Sequence, residues 1–579
     1  MKKCFTLLIL VFTVCCSSDS DSEMVDLPPP GNLQVLVQTL DERPLEGASV
    51  STIPATTVVT TGADGIALFN NIESGSYLIN VDLPTDAFIY TSIPISVTAG
   101  ETASFSLAVG PQLIIESPID IDILLEACYS RLKRRNIFDA LGYVLSWGDI
   151  GSDILYNGSN ASLPELELDR YNFSSSNTII NNVWEEYYGI IILVNQGLDA
   201  INLNQFTSEN PIDQNKIKAE FQFLRALLYF NLVKLYGNPV VVTTALFDLN
   251  NPPPFVQGQE EAYALIVSDL IAAQTGLGAS TNNTRATLAA SQALLGKVYL
   301  QMAGFPLQRP ENYALALTEF EKLVGNFSLE TNYEDVFSIE NEDSTNEIIF
   351  KIPFDSDGNY GALWGPIGLI PQDSYEMAIG FPESFFEDPS SIMSPVSFPL
   401  EVQDSRFYQN LAPFSVEKQT PVNQLNIVDW RPYKFKKALE ETVSFGSESF
   451  DFPYLRYADV LLMIAEAENA INGPTAKAYT AINEVRRRAF GNADNDLSPG
   501  LSQQDFLQAV LEERRRELCF EGHRKDDLIR NQSLESVIAD FNLNHPRFAK
   551  NFESFMHIWP IPQIEIITNP LVQQNPGYQ

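Results

Sequence analysis

Two hydrophobic rhythms divide this chain of 579 residues. Over residues 31–110 apolar and polar positions alternate, as they do in half-buried strands. LQVLVQ (Leu33–Gln38), Ser49–Ile53, Ile66–Phe69, Tyr77–Val81, Ile93–Val97 and Thr102–Leu107 read as strands. Pro44-Leu45-Glu46-Gly47 and Thr61-Gly62-Ala63-Asp64-Gly65 read as turns between them, Asp64 being a turn former ahead of a glycine. About seven short strands of this kind predict a small all-β sandwich.

From Leu113 the apolar positions recur at three, four and seven, the spacing of a helix face. Helices are expected over Asp120–Asn136, Thr178–Ile201, Lys216–Tyr236, Glu260–Gln274, Leu288–Ala303, Glu311–Val324, Pro453–Asn472 and Ala476–Phe490. In ASQALLGKVYLQMAG and ENYALALTEFEKLV, Ala, Gly and Tyr fall where paired helices pack closely. They look like weak tetratricopeptide repeats. Residues 146–172 are loop-rich, and residues 326–450 lose all periodicity while keeping scattered aromatics. An irregular stretch that long inside a helical domain is usually functional. Prolines near the end, in FMHIWPIPQIEIITNPLVQQNPGYQ, forbid a long helix.

Leu511–Arg530 (LEERRRELCFEGHRKDDLIR) begins as a helix in which Glu512 reaches Arg516 at i+4 and Glu513 reaches it at i+3. Gly522 stops the helix, because it takes a left-handed cap cheaply. Alone, such a charge run reads as a solvated face. Beside Arg456–Ile471 it reads as half of a buried pair. Glu513, Arg514 and Glu517 are then locked ion partners, with Arg456, Glu466 or Glu468 as the expected counterparts.

Charge narrows the partners. The net charge is −38 and the pI about 4.3. A field of that sign repels phosphates and anionic lipid heads, so nucleic acid is excluded as a ligand, whereas neutral sugars and peptides are not. Of five cysteines, Cys128 and Cys519 lie on apolar helix patterns and are expected as buried thiols. With three histidines and no Cys/His cluster, neither a metal site nor a cofactor is expected.

The first residues read as a targeting segment. Lys2 and Lys3 precede an apolar run, Phe5–Val14, too short to span a bilayer. Residues 1–16 resemble a bacterial lipoprotein signal, with Cys16 the expected lipid anchor and Cys15 the alternative. Residues 17–30, Ser/Asp-rich and ending in Pro28-Pro29-Pro30, form a disordered tether.

Four segments resemble the SusD/RagB family of outer-membrane nutrient-binding lipoproteins: AEFQFLRALLYFNLVKLYGNPVVV (Ala219–Val242), RYADVLLMIAEAENAI (Arg456–Ile471), ERRRELCFEGHRKDDLIR (Glu513–Arg530) and PIPQIEIITNPLVQQNPGY (Pro560–Tyr578). The resemblance covers residues 112–579. It implies a mainly α fold, with tetratricopeptide-like helix pairs as scaffold and an irregular loop-rich lobe. It also implies a binding protein rather than an enzyme. Such a protein sits lipid-anchored on the cell outer membrane, takes an oligosaccharide and delivers it to a SusC-like TonB-dependent transporter. Residues 31–110 resemble the carboxypeptidase regulatory-like β-sandwich, a departure from the family's usual domain plan.

The residues agree with a sugar ligand. Flat aromatics give apolar area at low entropic cost, and loops on a rigid frame are where a site belongs. The candidates are Trp147, Tyr156, Tyr360, Trp364 and Tyr375, each of which could instead pack on the scaffold. Trp184 and Trp559 are assigned to the core, and Trp430 is left between core and site. A peptide ligand and a pure assembly scaffold are alternatives. A polysaccharide hydrolase needs two carboxylates at a set separation, and no loop shows a recognisable pair.

Overall fold

The computed structural model describes residues 30–39, 43–82, 89–91, 95–109, 118–133, 148–157, 161–202, 211–245, 255–338, 341, 343–354, 375–377, 385, 403–412, 414–415, 420–421, 431–432, 434–435 and 451–578. Cys16, Trp147, Tyr360, Trp364 and Trp430 lie outside the described residues. The chain divides into two compact units, Met1–Leu113 and Ile114–Gln579.

The first unit holds β1 (Gly31–Thr39), β2 (Ser49–Ile53), β3 (Val59–Thr60), β4 (Ile66–Ile72), β5 (Gly75–Asp82), β6 (Ile89–Thr91), β7 (Ile95–Val97) and β8 (Thr102–Val109). One sheet runs β4-β1-β8, with β1 antiparallel to β4 and parallel to β8. The other runs β3-β2-β5-β6, and β7 also pairs with β5. Leu33, Val35 and Val37 of β1 share one core with Val50 of β2 and Ile79 and Val81 of β5. Alternation therefore does what it predicts, turning one face of each sheet onto a common interior.

The second unit is mainly helical. Its helices are α1 (Pro118–Leu132), α2 (Leu163–Asp169), α3 (Thr178–Asn202), α4 (Pro211–Tyr236), α5 (Gln259–Gly276), α6 (Leu288–Ala303), α7 (Asn312–Glu321), α8 (Arg406–Asn410), α9 (Tyr457–Asn472), α10 (Ala476–Phe490), α11 (Gln503–Glu517), α12 (Arg524–Arg530), α13 (Leu534–Asn544) and α14 (Gln563–Thr568). From α3 to α7 each helix packs mainly on its neighbours in sequence, and α9 joins α7, α10 and α11. This is the contact pattern of stacked helix pairs. In α4 the stretch Ala219–Tyr236 is apolar on nearly every side, and helices from both sides enclose it. Its few charges are paired inside, Arg225 with Asp269 at 2.7 Å and Lys234 with Asp526 at 2.6 Å. Trp184 and Trp559 are core residues, both edge-on to Tyr236.

The expected helix Pro453–Asn472 splits in two. Phe452–Arg456 is a strand, antiparallel to Ile348–Ile352, and the helix starts only at Tyr457. Every residue of both strands is buried. The run EIIFKI could be read from the sequence as a buried strand, but its partner lies a hundred residues away. Pro453 would be tolerated in a first helical turn; the pairing of this buried segment with Ile348–Ile352 is what makes it extended.

Numbered in chain order, the strands of this unit are β9 (Leu155–Asn157), β10 (Ile348–Ile352), β11 (Tyr375–Met377), β12 (Leu411–Ala412), β13 (Phe414–Ser415), β14 (Thr420–Pro421), β15 (Arg431–Pro432) and β16 (Phe452–Arg456). Apart from β10 and β16 they belong to an irregular lobe. There β9 pairs with β11, β12 with β15 and β13 with β14.

Candidate ligand-binding lobe

Most charges of Leu511–Arg530 are buried, with Glu512, Arg515 and Arg516 half-buried at the edge. Glu517 on α11 accepts from Arg456 at 2.8 Å, Arg488 at 2.5 Å and Arg406 at 3.0 Å. Arg456 also reaches Glu347 and Glu521, each at 2.7 Å. Lys434 Nζ meets Glu521 at 2.5 Å and donates to the carbonyls of Glu517 and Cys519. Arg514 bridges Asp459 and Asp527, and Arg530 holds Asp527 and Glu466. Burial alone would raise the Glu517 carboxyl, but Arg488, Arg456 and Arg406 hold it well below the usual carboxylate range.

The expected partners are therefore partly right. Glu517 does meet Arg456, but Arg514 uses Asp459 and Asp527, and Glu513 uses Arg406 and Arg486. Glu466 belongs to Arg530, and Glu468 faces Lys477 and Thr475. Helical spacing identifies which face is buried; it does not say which loop supplies the counter-ion. Arg406 and Lys434 come from the aperiodic stretch, and no sequence pattern marks them.

This lattice extends into the loop before β9. Gly522, at φ +80°, donates its amide to Asp149 at 3.1 Å. Gly148 lies against the same glycine so closely that a Cβ on it would stand 2.1 Å from Gly522 Cα. Asp153 takes Arg524 at 2.7 Å and Arg515 at 3.3 Å. Tyr171 donates to the Gly151 carbonyl at 2.9 Å, and Asn157 donates its amide to Asp169 at 3.1 Å. Residues 148–157 are thus held at several points by α11, α12 and the end of α2.

The clamped segment ends in β9, whose partner β11 lies far along the chain. Tyr375 stands opposite Asn157, and Glu376 opposite Tyr156. The fold thus joins the segments that carry two of the five expected aromatics.

Tyr156 needs correcting. It is 6% exposed, and its ring packs against Phe541, His545 and Phe548. All three residues of β9 are buried, and the aromatic cluster from α13 and the turn after it covers this ring, so it braces the wall and offers no free face for stacking.

Two groups near the clamp titrate in the neutral range. Burial raises the Asp149 carboxyl to about 7, with Gly522 and Lys434 opposing the rise. Burial likewise lowers the Lys525 amine to about 7. Cys128 and Cys519 are buried free thiols, each raised to about 12 by burial. Among the described residues no cluster of three or more His, Cys, Asp or Glu side chains could hold a metal, and no helix is long and apolar enough to cross a membrane. What the arrangement provides is a buried, charged base that fixes residues 148–157, and β9 with them, to the helical unit.

Comparison with known proteins agrees with this architecture. Residues 372–578 match the model of the SusD family, and residues 150–300 match a family described as starch-binding, associating with the outer membrane. A SusD-like protein of Formosa agariphila is 27% identical over 519 residues, spanning 81% of this chain and 94% of that protein. The crystal structure of a SusD homologue from Bacteroides thetaiotaomicron superposes with a TM-score of 0.67 at 25% identity, covering 79% of this chain and 97% of the homologue. A laminarin-binding SusD-like protein shares the fold, with a TM-score of 0.64 at 20% identity over 80% of this chain and all of that one.

Proposed function

This chain belongs to the SusD-like family, and on that premise we propose that it is a lipoprotein of the outer-membrane surface, anchored through Cys16. It binds oligosaccharide there and passes it to a SusC-like TonB-dependent transporter. It acts by binding, with no chemical step of its own.

The observation that carries this reading is the clamp on residues 148–157. Gly148 and Asp149 are fixed to Gly522 between α11 and α12, and Asp153 to Arg515 and Arg524 on those helices, so β9 and its partner β11 form a rigid edge. A binding protein gains affinity when the recognising loops are ordered before the ligand arrives. Trp147 directly precedes the clamp, Tyr375 lies on β11, and Tyr360 and Trp364 lie in the segment leading to it. These four are the proposed ligand contacts. A flat ring can cover the C–H face of a pyranose, and its cost in side-chain entropy is small.

The β-sandwich at residues 31–110, with its resemblance to the carboxypeptidase regulatory-like module, is proposed as a spacer or docking element between the lipid and the helical unit.

Titration of the purified protein against a panel of neutral oligosaccharides tests the reading. Trp147→Ala, Tyr360→Ala, Trp364→Ala and Tyr375→Ala, made singly, are expected to weaken binding without lowering the melting temperature. A barrel transporter should co-purify from detergent-solubilised membranes. A blank panel together with no transporter would refute the proposal, and release of reducing ends by the pure protein would show it to be a hydrolase. If peptides bind and sugars do not, the peptide-binding alternative replaces it.

A further inference from the structure

We propose that the irregular lobe holds a second saccharide pocket, separate from the β9–β11 edge, between the 3₁₀ turn Tyr333–Phe337, the start of α8 and the end of α10. The proposal takes its ligand class from the glycan-binding reading and goes beyond it by placing another site.

A cavity of about 360 Å³ opens there. Small-molecule sites run from roughly 300 to 1,000 Å³, so this one suits one or two sugar rings. Tyr408, Gln403, Ser405, Asn332, Glu334 and Arg488 are among its lining residues.

The walls are braced. Ser405 donates both its amide and its hydroxyl to the Ala489 carbonyl, at 2.9 and 2.8 Å, which ties the lead-in of α8 to the last turn of α10. Arg406, next in sequence, is locked by Asp404, Glu513 and Glu517. Tyr408 is 39% exposed, and its ring stands edge-on to the buried Phe407 at 5.1 Å between centroids. A half-exposed aromatic held by a buried one is a ready stacking surface.

The polar groups point to a neutral, hydroxyl-rich ligand. Arg488 already meets Glu347 and Glu517, so its charge is compensated and it attracts no anion. Asn332, Gln403 and Ser405 are neutral. The exposed lining residues Asn332, Gln403 and Ser405 carry amide and hydroxyl groups that both donate and accept. A sugar hydroxyl both donates and accepts, and so matches this mixture.

The lobe is continuous between the two sites. β11 touches β15, β15 pairs with β12, and β12 follows directly from α8. A long glycan crossing the β9–β11 edge would thus find a second hold on the same lobe.

The test uses the full chain, its Tyr408→Ala and Gln403→Ala variants, and a Trp364→Ala control. D-glucose, D-galactose, D-mannose and D-xylose are titrated by ligand-detected NMR and soaked into crystals. The expected result is one of these sugars in the pocket, its affinity cut about ten-fold by Tyr408→Ala and reduced by Gln403→Ala, but unaffected by Trp364→Ala. If oligosaccharide binds and density appears only near β9 and β11, with Tyr408→Ala and Gln403→Ala silent, the second pocket is refuted and the functional reading stands. If none of the four sugars binds, the second pocket is refuted, and the functional reading falls with it only if the oligosaccharide panel and the transporter co-purification are also blank.

Discussion

Arg456 Nη1 and Glu517 Oε1 stand 2.8 Å apart, and neither side chain reaches water. Arg456 caps α9 and Glu517 ends α11, so one ion pair joins the two helices most distinctive in this sequence. The same carboxylate serves Arg406, which carries the connection into the irregular lobe. Buried charges are tolerable only while every partner is present.

Glu517→Gln keeps the shape and removes the charge that Arg406, Arg456 and Arg488 share. It is expected to cost about 3–5 kcal/mol, the usual range for breaking a buried pair. Urea unfolding followed by circular dichroism measures it.

Arg514→Ala strips a ligand from both Asp459 and Asp527, although Lys297 and Arg530 remain beside them. A loss of about 3 kcal/mol is expected, with glycan affinity in the folded protein unchanged. A variant as stable as the parent would mean that this face is solvated after all.

Acid should unfold the protein through the lattice. Glu517, Asp459 and Asp527 all have carboxyls held below their ordinary values: burial works against this, and the neighbouring cations more than compensate. Asp527 lies at about 2. Their contribution is fully present above an unfolded-state pKa of about 4 and is lost as pH falls through the folded values. Melting temperature is expected to drop steeply below about pH 4.

Asp149 has the opposite sign. Its folded-state carboxyl lies at about 7, because burial disfavours the charge, and Oδ1 has no hydrogen-bond partner. Its stabilising contribution is present below about pH 4 and disappears as pH rises to 7. Asp149→Asn retains an acceptor for the Gly522 amide. It should raise stability by roughly 2–4 kcal/mol at pH 8 and do little at pH 4, as thermal melts at the two pH values would report.

Gly148→Ala tests the clamp. The added methyl would meet the Gly522 backbone at 2.1 Å, and neither main chain can yield without moving the loop. Glycan affinity is expected to fall at least ten-fold by calorimetry, since the preorganised edge is lost. Ala at the exposed Gly278, where the structure leaves open space, is the matching control and should leave affinity unchanged.

Sequence periodicity alone determined the two architectures. Strict alternation over residues 31–110 put Leu33, Val35 and Val37 on one face, and spacings of three and four placed α3 to α7, α9 and α10 within a few residues of their observed ends, whereas α11 starts earlier than expected, at Gln503, and ends at Glu517, before the expected stop at Gly522. These are local properties, set by which side of an element water must leave. The charge run at Leu511–Arg530 was legible as buried once it was set beside Arg456–Ile471. Tertiary structure decided the rest. Only the fold brings Arg406, Lys434 and Glu347 to Glu517, Arg456 and Glu521, pairs Tyr375 with Asn157, and turns Tyr156 into the wall. These contacts join residues tens to hundreds of positions apart, and no local pattern encodes which distant loop brings the compensating charge or covers the ring.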